Sequence, residues 1–137
     1  MVMEIDHLTI PVRSYAASKR FYERALKPLG IAVRLDWPDR RCAYLGLAGE
    51  PASLWICESP TAGSLELSLP APEPEAVERF HAAAVSAGAS NEDEPGIRLE
   101  HNRDYYAARV LDPDGNSIEA VFRGDAAAAE RRPSLAA

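Results

Sequence analysis

Basic charge, cysteine and long apolar runs are all scarce in this chain, and each shortage removes a class of function. Its 137 residues hold 15 lysines and arginines against 21 aspartates and glutamates, a formal net charge of −6. A surface so weighted repels phosphate backbones and anionic bilayers, which argues against nucleic acid or a membrane as the main partner. No apolar run approaches the roughly 18 residues of a membrane span, and no signal-peptide pattern opens the sequence, so a cytoplasmic protein is expected. Cysteine occurs only at Cys42 and Cys57, in no C-x-x-C arrangement. The two read as reduced, partly buried thiols rather than as a disulfide or a zinc site.

What is present is ordinary for a soluble globular chain, with 47% apolar and 26% charged residues, enough for a single domain with a real core. The pattern within it repeats. Glu4 to Pro11 reads as a strand, an amphipathic helix follows over about 14–27, and three short strand signals come before residue 60. From Leu65 the order recurs: a strand at Leu65–Leu69, a helix over about 73–87, then strands ending at Ile118–Phe122. The expectation is an α+β fold in which two tandem βαβββ modules, about 4–60 and 64–123, surround a shared concavity. Residues 124–137 read as a frayed or disordered tail.

The first helix carries Tyr15, Ser18, Phe21, Tyr22, Ala25 and Leu26 at three-and-four spacing, with Ser14 as its cap and Pro28 and Gly30 at its end. The second places Val77, Phe80, Ala84 and Val85 on one face and closes at Gly88. Strand parity then sorts the remaining side chains, since successive residues point to opposite faces. Apolar faces belong under the helices. On the opposite faces this leaves His7 in the first strand, Glu66 in the strand opening the second half, and Glu119 in the last. Trp55 and Tyr44 are candidates for the same lining, and so are Tyr105 and Arg109, which share one phase. Asp112-Pro113-Asp114-Gly115 is a turn between the final two strands. The stretch Asp36 to Arg41 reads as a mobile connector between strands. His81 reads as a helix-surface or packing residue, and His101 as a solvated residue of a charged loop.

Together these residues resemble the glyoxalase/bleomycin-resistance/dioxygenase group, the vicinal oxygen chelate superfamily. The resemblance lies in Ile5-Asp6-His7-Leu8-Thr9-Ile10, Phe21-Tyr22, Leu29-Gly30 and Leu111-Asp112-Pro113-Asp114-Gly115-Asn116-Ser117-Ile118-Glu119, and it covers about residues 4–123. It implies paired βαβββ modules forming an open, barrel-like cleft, often holding a divalent metal ion (Fe, Mn, Ni or Zn), and frequently a homodimer. Carried over position by position, the ligands would be His7, Glu66 and Glu119. Relatives commonly have histidine where Glu66 stands, and a fourth ligand would fall near Trp55, which cannot coordinate. The chain therefore lacks the full four-ligand glyoxalase pattern.

Two functions follow. In the first, the protein is a metal-dependent lyase, isomerase or dioxygenase acting on a small oxygenated organic substrate. His7, Glu66 and Glu119 then hold the ion, Glu119 and Arg109 serve the chemistry, and Tyr44, Trp55, Tyr105 and Arg109 bind substrate. In the second, Arg109 pairs with Glu66 or Glu119 in place of a metal, and the protein is a non-catalytic drug- or natural-product-binding (resistance) protein. Both take a small-molecule ligand.

Overall fold

The computed structural model describes residues 4–98 and 104–124. His101 and the expected tail beyond Gly124 lie outside the described residues. The first helix, α1 (Tyr15–Ala25), follows a strand β1 (Leu8–Val12), and the Ser14 side chain accepts from the Ala17 amide at its start. Ser18, Phe21, Tyr22 and Ala25 are its buried stripe. It ends earlier than the spacing predicts because Pro28 lacks an amide donor and disfavours α geometry in the residue before it. The chain tightens instead into a 3₁₀ turn at Lys27–Leu29, closed by Gly30 at φ 80°.

Three strands complete the first module: β2 (Ile31–Trp37), β3 (Cys42–Leu47) and β4 (Leu54–Glu58). The connector expected over residues 36–41 is shorter than the sequence suggests. β2 runs through Trp37, and a 3₁₀ turn at Pro38–Arg40 leads to Arg41 at φ 53°. Arg34 forms a bulge in β2, so that Val33 pairs with Leu45 while Leu35 and Trp37 pair with Tyr44 and Cys42. The extra residue reverses the parity of the strand's end and turns Leu35 and Trp37 outward.

The second module repeats the order with β5 (Glu66–Pro70), α2 (Pro74–Ser86), β6 (Ser90–Ile97), β7 (Tyr105–Leu111) and β8 (Ser117–Arg123). Pro74 opens α2 where its missing amide costs nothing, and Ala76, Val77, Phe80 and Ala84 are buried. Val85, expected on this face, is 41% exposed instead. Five residues beyond Phe80, it has rotated roughly 140° around the helix from it. His81 sits on the flank and reaches Asn91 at 2.7 Å, fastening α2 to β6.

The sheets are ordered β1-β4-β3-β2 and β5-β8-β7-β6, each with one parallel pair (β1/β4, β5/β8) and antiparallel pairs elsewhere. This is the α+β arrangement expected, two copies of one βαβββ unit. Each helix packs on its own sheet, and α1 and α2 pack on each other. The main core, from Ile10, Tyr22 and Ile56 to Phe80, Val110 and Ile118, therefore lies between helices and sheets. Among the described residues, no helix lies over the other face of either sheet.

The turn between β7 and β8 fastens the modules together. Asp112 accepts from the backbone amides of Asp114 and Asn116 at 2.9 and 2.8 Å, from the Asn116 side-chain amide at 2.9 Å, and from the Tyr22 hydroxyl on α1 at 2.5 Å. Asn116 accepts the Leu65 amide at 2.9 Å, and Asp114 accepts the Arg13 amide at 3.2 Å. Gly63, at φ 109°, lies against this turn: a Cβ there would come within 2.6 Å of the Asp114 carbonyl oxygen.

Candidate functional site

On the uncovered face of the first sheet, strand register builds two rows. One runs Thr9, Trp55, Tyr44, Leu35 and the next runs Pro11, Cys57, Cys42, Trp37, each residue on its own strand. His7, just ahead of β1, lies flat on Trp55 with ring centroids 3.7 Å apart and planes 13° from parallel. Tyr44 stacks on the opposite flank of the indole at 4.6 Å and 12°. Trp37 meets Tyr44 edge-on at 6.4 Å, and the Arg40 guanidinium covers Trp37 at 4.6 Å. His7 also contacts Asp6 through Nδ1 at 2.8 Å. The result is a ladder of rings on a half-exposed sheet surface, with Leu35 and Trp37 extending it 51% and 39% exposed.

The corresponding face of the second sheet is built from charge. Glu119, on β8 and 4% exposed, accepts hydrogen bonds from Ser68 Oγ at 2.6 Å and Tyr105 Oη at 2.5 Å, both to Oε1. Arg109 donates to its other oxygen, Oε2, at 3.2 Å. The same guanidinium lies 3.8 Å from Glu66 and 3.9 Å from Glu92, and Glu92 accepts from Ser117 at 2.6 Å. Burial alone would raise the Glu119 carboxyl, but the hydrogen bonds from Ser68, Tyr105 and Arg109 outweigh it and hold the group below the usual carboxylate range. Burial and the bond to Glu119 push the Tyr105 phenol up. A shallow cavity of about 160 Å³ opens between Glu66, Ser68, Arg109 and Ser117.

The residues singled out in the sequence thus gather as two groups on two sheets. His7, Tyr44 and Trp55 meet on the first; Glu66, Tyr105, Arg109 and Glu119 meet on the second. Sequence reasoning missed Ser68 as a Glu119 partner, although it shares the parity of Glu66 and lies opposite Glu119 in the parallel register. It also missed Glu92, which sits on an edge strand whose register shifts twice, so parity carried no signal there.

The protein matches the family model of the glyoxalase/bleomycin resistance protein/dioxygenase superfamily over residues 4–120. The chain belongs to this superfamily. Among solved structures, this superfamily member is similar to a glyoxalase/bleomycin resistance protein from Albidiferax ferrireducens T118, at 29% identity over 87% of this chain and 98% of that one, with a TM-score of 0.73. It shares its fold with TnmS3, an antibiotic binding protein from Streptomyces sp. CB03234 (23% identity, 90% and 98% covered, TM-score 0.63). The fold is also that of a V278E glyoxalase I mutant from Zea mays (23%, 85% and 44% covered, TM-score 0.63). The comparison with curated proteins finds no match.

The superfamily commonly binds divalent metals, and the donors of this chain can be tested for that role. Among the described residues no three histidine, cysteine, aspartate or glutamate side chains gather as a ligand set. Within one chain His7 is on the first sheet and Glu66 and Glu119 on the second. Both Glu119 oxygens already accept from protein donors, and one of those donors is a cation that would repel a metal ion. Within one chain, the set does not fit a resident ion.

Proposed function

We propose that this protein is a non-catalytic binder of a planar aromatic small molecule, a sequestering member of the superfamily. The observation that carries the reading is the His7–Trp55–Tyr44 ladder on a sheet face that no helix of the described residues covers. His7 and Tyr44 occupy the two flanks of Trp55, so a further planar ring would stack on the outer face of His7 or Tyr44, losing water without breaking a hydrogen bond. The rest of the site supports affinity over turnover. Arg109 is surrounded by Glu66, Glu92 and Glu119, which favours it as the counter-ion of Glu119 over an anchor for an anionic substrate. Tyr105 and Ser68 fix Glu119 in place instead of leaving it free as a base.

The metal-dependent lyase, isomerase or dioxygenase reading draws its support from the superfamily alone, and the fit of the donors speaks against it. A homodimer belongs to the binding reading. With the helices packed together inside the chain, the described residues leave the aromatic face and the carboxylate face both open, and a second copy would turn an open face into a cleft. The protein would act where it meets such ligands, in the cytoplasm.

The test is a tryptophan-fluorescence titration with a panel of polycyclic planar compounds, such as acridines, anthraquinones and flavins. At least one is expected to bind at micromolar concentration, with Trp55→Ala weakening it about tenfold or more, the equivalent of ~1.4 kcal/mol. Absence of binding across the panel, together with metal-dependent turnover of a carbonyl or catechol substrate, would replace this reading with the enzyme.

A further inference from the structure

Cys42 and Cys57 stand far apart in sequence but directly opposite each other in space, as register partners on β3 and β4. Immediately beside them the Glu58 amide donates to the Arg41 carbonyl at 3.0 Å, which places the cysteine pair in the non-hydrogen-bonded register of the ladder. Opposed residues of that kind have Cα atoms about 4.5 Å apart, with side chains leaning together. A disulfide needs Cα atoms roughly 4.4–6.8 Å apart, so the pair lies at the near end of the range. Both residues are free thiols and partly accessible, on the same face as Tyr44 and Trp55. In their row they are flanked by Trp37 and Pro11.

We propose that Cys42 and Cys57 are a reversible oxidation site, closing an intramolecular cross-strand disulfide under a two-electron oxidant such as hydrogen peroxide. Burial and the neighbouring Cys42 push the Cys57 thiol up to about 12, which disfavours Cys57 as the first sulfur to react. The Cys42 sulfur attacks one peroxide oxygen, the O–O bond breaks, and one water leaves as Cys42 becomes a sulfenic acid. The Cys57 sulfur then displaces that hydroxyl, which departs with the Cys57 proton as a second water. Two thiols and one peroxide become one disulfide and two waters. Closure falls within the distance range, and a partly accessible bond is open to thiol exchange that reduces it again, as a reversible site requires. The bond would join two of the strands that carry the aromatic ladder, independently of what the ladder binds.

The experiment uses the full chain, reduced and then exposed to hydrogen peroxide, followed by alkylation of remaining thiols and peptide mapping under non-reducing conditions. Before oxidation, both thiols are expected to alkylate in the folded chain. After oxidation, the map should show a Cys42–Cys57 link within one chain, with quenched tryptophan fluorescence, an unchanged circular dichroism spectrum, and full reversal by dithiothreitol. Cys57→Ser should stop at a Cys42 sulfenic acid that dimedone captures, and neither single variant should form an intramolecular link. Two alkylatable thiols in the folded wild-type chain after peroxide treatment, or links formed only between chains, would overturn the proposal, and neither result depends on a variant folding.

Discussion

Glu119 is held by a hydroxyl, a phenol and a guanidinium, and that environment makes two predictions at the scale of a single residue. Its pKa is lowered in the folded state, so the carboxylate contributes stability that is complete above the ordinary carboxylate range. That contribution is lost as pH falls through this range and below it. Glu119→Gln is therefore expected to cost about 1–3 kcal/mol at neutral pH and to flatten the acid limb of a stability-against-pH curve measured by urea unfolding. An acid limb as steep as wild type would mean that another carboxylate governs it. The same variant tests the metal question. Titration of the wild type with Fe(II), Mn(II), Ni(II) and Zn(II) should show no stoichiometric uptake, because Arg109 and the two hydroxyl donors already occupy the carboxylate. Binding of about one ion per chain that disappears in Glu119→Gln would return Glu119 to the role of ligand.

At the scale of elements, the turn from Asp112 to Asn116 contributes more than its connection of two strands. Asp112→Ala would strip partners from two backbone amides, the Asn116 side chain and the buried Tyr22 hydroxyl at once. A loss of about 3–5 kcal/mol of unfolding free energy in denaturant titration is expected, several times that of a surface turn substitution, and a loss under 1 kcal/mol would show that the turn does not bind the modules. Elements of this kind also mark how far the sequence could be read. Helices α1 and α2 were legible because an apolar stripe at 3.6-residue spacing has one physical cause, and their ends were readable from Pro28, Gly30 and Gly88. β6 was not, because an edge strand containing Pro95 and Gly96 and a run of acidic residues has no face to bury. Parity sorted Trp55, Tyr44, Glu66 and Arg109 onto uncovered faces, since alternation is local. It could not reveal that the His7 and Glu119 groups gather apart within one chain, because that depends on how the two modules pack, nor that Arg34 bulges and turns Trp37 outward.

For the whole molecule, each copy carries two sheet faces that no described helix covers, and sedimentation velocity at micromolar concentration is expected to find a dimer. A monomer at every concentration tested would confine any ligand to the half-open face of one module. The parallel pairing of β1 with β4, and of β5 with β8, has a separate consequence for how the chain reaches this state. Leu8 finds Leu54, and Glu66 finds Ser117, only after everything between them has been made. Contacts so distant in sequence slow the search, because loop entropy must be overcome before pairing contributes anything in return. On the ribosome, the opening strand of each half waits, unpaired, for the closing strand of the same half. The first half can close while the second is still being synthesised, so the repeat divides one long search into two shorter ones, taken in the order of translation.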